Sequence, residues 1–558
     1  MESECFLGRT IKIKLSKKKL IKSISIISNL LSKNFVFDAN QKQKNVIDLF
    51  NLDFSNTNSF DVKIVFNQPI SQFRNHDYTW VNCDEDRIAN EYCPKIIKLK
   101  NGQLVQANIN AGIWEINKKD PHILLWRFNP EFAESITNYT GNTNQKNISK
   151  VSKIFNFIEN PALLFPLKHG LEFSRSKYYF SAIACFTDHC DFDTVENLEL
   201  QRAFFKENQI KTTKGFFLNH FSKRADNASF QNNEEEFLKW IEDGHELCYH
   251  SLSQSIKSDE QSFKDFKEFI PPLNHLKVWI DHGYQPYNFS LLEKNILSNE
   301  DFGKILNDKN ITSLWNYIDS GTATDGVINQ LNPNHFTLEN FLRGNKNLAF
   351  IKKAQLTLKN IIYHYYNDEE MILKYQNTAG NFKKVIFHKK IKSVFPFIKD
   401  FLKLCSSIFS VLLSWKSSKN KPFKFAKYSP LIFKHVIDQK EFYIFQTLEM
   451  LDFEKSLSKN NIDTLINEKG VFIAHTYFSV PMEYHTGRLI YNSKTINQKV
   501  SENFMFLGYK IKNKEIWNPT LSELIEYWSS FEKVILDIDH NGNLFEKTET
   551  TLKHRKLI

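Results

Sequence analysis

At 558 residues the chain is several times the usual domain length, which predicts roughly three or four domain-sized units. Its 41% hydrophobic and 24% charged residues, with 17 Gly and 15 Pro, exclude collagen-like, low-complexity and disordered chains, because enough apolar surface is present to offset chain entropy. Lys and Arg number 73 against 63 Asp and Glu, and the resulting +10 suits an anionic membrane or glycan without announcing nucleic acid.

From the N-terminus, a basic stretch at Lys17 to Lys22 is followed by Ile21, Ile24, Ile27, Leu30 and Leu31. That spacing predicts a helix over 19–33 and is unlike the continuous core of a signal peptide. The seven cysteines are odd in number and contain no C-x-x-C pair, so a reducing, cytoplasmic setting is expected. Abundant Phe, Lys, Asn and Ile also fit a chain written by an AT-rich genome. Segments 61–66 and 123–128 read as strands, and the Asn-rich stretch 138–147 as a loop. Residues 1–175 are therefore expected to form an accessory domain of mixed α and β structure, rich in β.

From Tyr178 the pattern changes. A buried strand over 179–186 precedes a helix over 194–208, a strand over 214–218, and a helix stopping at Gly244. Strands over 246–249 and 276–280 follow. Strands alternating with helices predict a parallel α/β sheet or barrel over 176–500. After Asn332 the rhythm breaks, and a strand returns only at 471–474, so an insertion is expected at about 335–465. Residues 501–558 are expected to pack on the barrel as an extension. Within the insertion, Val394 to Trp415 mixes apolar residues with Lys399, Asp400 and Lys403, then runs into Lys416, Lys419, Lys421, Lys424 and Lys427. It reads either as an interfacial amphipathic helix with a basic patch, giving peripheral contact through 394–427, or as a core helix with a solvated loop.

Polar clusters fall at four predicted strand ends, where sites form in parallel α/β arrays. Asp188, His189, Asp191 and Asp193 crowd the turn after the first strand. Three carboxylates and an imidazole can hold a divalent ion and leave a base, although Asp193 with Glu196 also reads as a helix cap. His250 ends a second strand, where a lone histidine is more often structural than a ligand. Asp281 and His282 end a third, before Pro286 and Tyr287, and His475 ends the returning strand. No G-x-S-x-G elbow, Walker loop or G-x-G-x-x-G is present, which disfavours serine hydrolases and nucleotide cofactors.

The order of these clusters resembles the polysaccharide deacetylase (NodB-homology) family, whose motifs run Thr-Phe-Asp-Asp-Gly, His-Ser/Thr-x-x-His, Arg-x-Pro-Tyr, a late Asp- or Trp-bearing strand, and Leu-x-His. Thr187-Asp188-His189 through Asp191 looks like the first, and His250-Ser251 the second. Gln285-Pro286-Tyr287 looks like the third, 313–319 the fourth and Ile473-Ala474-His475 the fifth. The resemblance covers about 178–330 and 468–490.

The resemblance implies a distorted (β/α) barrel and a metal-dependent hydrolase, with zinc as the expected divalent ion. It implies removal of N- or O-acetyl groups from a bacterial cell-envelope glycan or glycolipid. It makes Asp188 the general base, His250 a ligand with His189 or Asp191, and the Tyr287 backbone N–H an oxyanion donor. His475 would protonate the leaving group, oriented by Asp319. The first motif reads in two registers: base Asp188 with ligands His189 and Asp191, or base Asp191 with ligand Asp193. Gln254 stands where the second histidine of motif two is expected and Tyr284 where the arginine of motif three is, so His282 is the candidate replacement ligand. The same departures keep open a second reading, a degenerate relative that binds carbohydrate or a partner in surface-polysaccharide assembly.

Overall fold

The computed structural model describes residues 12–15, 20–27, 32–36, 46–48, 59–89, 92–140, 145–151, 157–255, 257–282, 298–316, 327–346, 348–366, 369–414, 417, 419, 421–450, 452–481, 488–492 and 495–558. Its N-terminal part is a two-sheet β-sandwich. Seven strands form one sheet and six the other, and Ile24, Ile64, Trp114 and Trp126 of the second pack against Ile97, Val105 and Leu163 of the first. No α-helix occurs among the described residues before Val195, so the expected mixed character gives way to β structure.

The predicted helix over 19–33 is instead a strand, Ile21–Ile27, followed by another, Ser32–Val36. Ile21, Ile24 and Ile26 are its buried residues, and its pairing with Phe60–Phe66 shifts register between Ile21 and Ser23. That bulge stretches the period of two into a step of three, which reads as helical in sequence. The predicted loop over 138–147 is likewise a hairpin, Ser135–Thr140 with Gln145–Lys150. Its first strand is pinned at both polar backbone groups: Thr137 N donates to Asn316 Oδ1 (2.8 Å), and Asn316 Nδ2 donates to the Ser135 carbonyl (2.8 Å).

The second part is α/β. Its sheet contains β1 (Ala182–Asp188), β2 (Thr213–Phe216), β3 (Glu246–His250), β4 (Val278–Ile280), β5 (Ser313–Asn316), β6 (Ile432–Ile437), β7 (Lys440–Gln446), β8 (Leu448–Met450), β9 (Val471–Thr476) and β10 (Ile516–Trp517). The order is β6-β7-β5-β4-β3-β2-β1-β9-β8, with β10 pairing β1 from off this path. Every pairing is parallel except β6 with β7. The sheet curls as a half-barrel. Its end strands β6 and β8 are not paired with each other among the described residues.

Helices α1 (Val195–Glu207) and α2 (Phe230–Glu242) cover one face, burying Leu198, Phe205, Phe237 and Trp240 with Ala184, Phe186 and Phe216 of the sheet. The opposite face buries Ile183, Cys185, Cys248, Ile280 and Trp315 with Leu521, Leu524 and Trp528 of the C-terminal helix Leu521–Ser529. This alternation, two residues per repeat, decides which side chains can meet at the strand ends.

The stretch expected as an insertion at about 335–465 is shorter in the structure. Its last part supplies β6, β7 and β8, with β7 parallel to β5, leaving 333–431 as the inserted helical segment. These short strands carry no period signal of their own, so only pairing reveals them. The C-terminal strand His554–Leu557 pairs antiparallel with Gly170–Phe173.

Candidate metal centre

The C-terminal ends of β1, β3 and β9 bring the polar clusters together. His250 ends β3 on the same face as Cys248, and Thr187 and His475 lie directly opposite each other on β1 and β9. Loop 189–193 crosses these ends, anchored by His189 N to the Thr476 carbonyl (2.7 Å). Asn227 Nδ2 donates to the carbonyls of Asp191 (3.3 Å) and Asp193 (3.2 Å), holding the far side of the loop.

His189, Asp191 and His250 each offer one ligand atom, and the three atoms lie within 4.8 Å of one another. His250 Nε2 is 3.2 Å from Asp191 Oδ2 and 3.1 Å from His189 Nδ1. Two imidazole nitrogens and a carboxylate oxygen converging this closely in a buried place fit a divalent ion such as zinc. Burial, reinforced by the neighbouring imidazoles, drives the His189 pKa well below the ordinary histidine value. Burial also lowers that of His250, against the pull of Asp191, so both rings are neutral and hold lone pairs for a cation.

His282 occupies a different place from the ligand role expected for it. Its Nδ1 is 2.8 Å from Asp191 Oδ1 and its Nε2 is 2.8 Å from the Gln254 carbonyl. It is flanked by two acceptors, and although burial alone would lower its pKa, Asp191 outweighs burial and raises it. It therefore orients Asp191 from behind. Gln254 turns its side chain away, its Oε1 accepting from Ser222 Oγ (3.0 Å) and Ser255 Oγ (3.1 Å). Ser251, between His250 and these residues, sits at φ 52° and accepts the His282 N–H at 2.8 Å. A non-glycine residue held in the left-handed region is strained, and this one directly follows His250 and bonds the backbone of His282.

His475 stands on the other side of His189, ring centroids 3.8 Å apart. Its Nδ1 lies 2.8 Å from Thr187 Oγ1, which donates to the Ala474 carbonyl at 3.1 Å. With the Thr187 proton committed there, Nδ1–H is the donor and Nε2 keeps its lone pair. That Nε2 is buried with no hydrogen-bond partner, and burial holds the His475 pKa well below the ordinary value. Aromatic rings wall the cluster. Tyr477 stacks on His189 (4.4 Å), Trp315 lies 4.5 Å from His475, and Phe217 lies 5.4 Å from both His250 and His282. The sequence signal for Trp315 and Tyr477 was only their nearness to strand ends.

Asp188 is placed elsewhere, which corrects its expected role as general base. By the alternation along β1 it shares the helix-covered face with Phe186, opposite Thr187. Its Oδ2 accepts from Lys214 Nζ (2.5 Å) and its Oδ1 from Gly215 N (2.6 Å). Lys214 Nζ also reaches Asp193 Oδ2 (2.6 Å) and Gln201 Oε1 (3.0 Å), and is itself fully buried. Burial opposes the ammonium, yet the two carboxylates outweigh it and raise the Lys214 pKa. Burial lifts Asp188 to about 6 against the pull of the same lysine. The alternative register, with Asp193 as ligand, fails for the same reason. Nor is Asp193 the helix cap: Thr194 caps α1, accepting from Asn197 N and forming a capping box with the Asn197 side chain. Gly215 is required at this spot, since a Cβ there would stand 2.6 Å from the Asp188 backbone oxygen. Tyr287 and Asp319 lie outside the described residues.

Buried neutral histidines make acid an enemy of the metal-free fold. His189, His250 and His475 are held low by burial, as are His245 and His435 away from the site, each at about 4. The unfolded chain takes up protons below about pH 6.5 that these folded rings refuse, so their contribution to stability falls as pH drops through that value. His282, with a raised pKa, and the carboxylates Asp188 and Asp281, lifted by burial to about 6 and about 8, act in the opposite sense. The histidine share is isolated by His245→Asn/His435→Asn, whose urea midpoint should fall less between about pH 7 and about pH 5 than that of the metal-free parent; an equal change would show these two rings to be charged or exposed.

No family model, curated protein or solved structure matches this chain.

Proposed function

We propose that the chain is a metal-dependent hydrolase of the polysaccharide deacetylase type, removing N- or O-acetyl groups from a glycan or glycolipid. The observation that carries this reading is the convergence of His189, Asp191 and His250 at parallel strand ends, with the partnerless Nε2 of His475 beside them. The sheet direction and the motif order agree with a deacetylase-type barrel. His189, Asp191 and His250 would hold a divalent ion, which would supply Lewis-acid chemistry at this place.

The chain's own groups do the rest. His189, Asp191 and His250 hold the ion, and His282 keeps Asp191 ionised and aimed. His475 Nε2 accepts a proton from the attacking water and returns it to the departing nitrogen or oxygen, while Thr187 fixes the tautomer from Nδ1. Water adds to the carbonyl carbon, the C–N or C–O bond breaks, and acetate leaves with the deacetylated sugar. Trp315 and Tyr477 offer flat apolar surface beside the reacting groups.

The experiment is release of acetate from acetylated glycans by zinc-loaded protein, run beside His475→Ala. The variant should keep its metal and lose at least about a hundredfold in kcat, the scale of one acid–base group. Full turnover in the variant would remove His475 from the chemistry. One observation favours a second reading. The carboxylate that the family resemblance makes the base, Asp188, is neutralised by Lys214. A protein that binds zinc and glycan stoichiometrically and releases no acetate would be the non-hydrolysing relative.

A further inference from the structure

The inserted helical segment contains a hairpin whose tip is exposed among the described residues. Helices Glu369–Ile386 and Val394–Leu413 pack on each other and join through the short turn Ile391–Ser393. The open end of the hairpin is rooted: Met371, Ile372, Leu404 and Val411 are buried against Leu356, Ile361 and Ile362. Beyond that root no residue from Ala379 to Lys403 is buried. Yet this stretch holds Phe387 at 73%, Ile391 at 85% and Phe395 at 76% exposure, with Ile386, Ile398 and Leu402 exposed behind them. An apolar tip of this size facing water marks an interaction surface.

Charge says which surface. Lys383, Lys384, Lys389, Lys390, Lys392, Lys399 and Lys403 ring the tip, and Asp400 is the one acidic residue among them. Asp400 is engaged within the hairpin, accepting from Asn381 Nδ2 at 3.3 Å. The lysines that follow in sequence behave differently. Lys419 pairs with Glu339 (2.9 Å), Lys424 with Glu131 (3.2 Å), and Lys421 lies over the Tyr365 ring. Of the basic patch expected at 416–427, Lys419, Lys421 and Lys424 are therefore turned to the protein body and Lys416 lies outside the described residues, whereas the lysines of the hairpin tip are exposed. No helix among the described residues is long and apolar enough to cross a membrane, so contact would be interfacial.

We propose that this hairpin docks the protein on an anionic lipid surface, Phe387, Ile391 and Phe395 entering the headgroup–acyl boundary while the surrounding lysines meet lipid phosphates. The inference is independent of the metal centre. It is tested by flotation of the full chain with vesicles of phosphatidylcholine alone and of phosphatidylcholine with phosphatidylglycerol. The protein should float only with the anionic vesicles and be released by salt. The variant Phe387→Ser/Ile391→Ser/Phe395→Ser should not float. Replacing Lys389, Lys390 and Lys392 by Ala should weaken partitioning about a hundredfold, since each lysine near an anionic surface is worth about fivefold. Metal content should be unchanged in both variants, which separates failure here from failure of the metal site. Flotation equal to wild type in both variants overturns the proposal. So does absence of flotation together with a dimer in sedimentation that the serine variant disperses, which would make the tip a contact between two copies.

Discussion

Purified protein should carry about one equivalent of a divalent ion, and His250→Ala should lose it, with at least about a hundredfold weaker affinity in a chelator competition. The size of the effect follows from the geometry. Three ligand atoms within 4.8 Å leave no spare donor in the grouping, so deletion of one leaves two. His250 is fully buried, and its removal also leaves Asp191 Oδ2 without its 3.2 Å partner. Asp191→Asn should behave alike, because an amide is a poor ligand and returns no charge to His282. His282→Ala should be milder, weakening the ion by about ten- to a hundredfold, the usual range for a group that orients a ligand from behind. Retention of a full equivalent by His250→Ala would remove the metal site and with it the hydrolase reading.

The second large effect should come from Lys214, which no motif contains. Lys214→Met should destabilise the fold by about 3–5 kcal/mol, read from urea unfolding, because it strands two buried carboxylates without their cation. Asp188 and Asp193 sit 2.5 and 2.6 Å from its Nζ, and Gln201 completes the shell. The variant in which Lys214, Asp188 and Asp193 become Met, Asn and Asn should recover part of the loss, since no net charge then remains buried. Asp188→Asn alone should keep its metal, since the Asp188 carboxylate lies on the helix side of β1. Loss of the ion from that variant would return Asp188 to the site.

Much of the arrangement was legible in the residues. Val195–Glu207 carries helical spacing, although its cap is Thr194 rather than Asp193, and Gly244, at φ 87°, ends the turn after the second helix where left-handed backbone favours glycine. The four polar clusters at strand ends led to His189, Asp191, His250 and His475. Less was legible in the N-terminal part, where a bulge at Ile21 to Ser23 disguised a strand as a helix. The three strands within 432–450 were hidden because short apolar runs carry no period long enough to read. Asp188 misled because it was grouped with the strand-end cluster, whereas neighbours along a strand take opposite faces and Thr187 holds the one toward His475.

Chemistry that depends on residue type at strand ends was determined by the sequence itself: a histidine and carboxylate set suited to a divalent ion, on an α/β scaffold. The tertiary structure alone decided which members of that set meet. Side chains alternate along a strand, so Thr187 and His475 face the metal group while Asp188, one residue on, faces the helices and is held by Lys214. Lys214 lies 26 residues from Asp188, and His282 lies 91 from Asp191, as their numbers show. Partners at such separations are brought together by strand pairing, which no local pattern encodes.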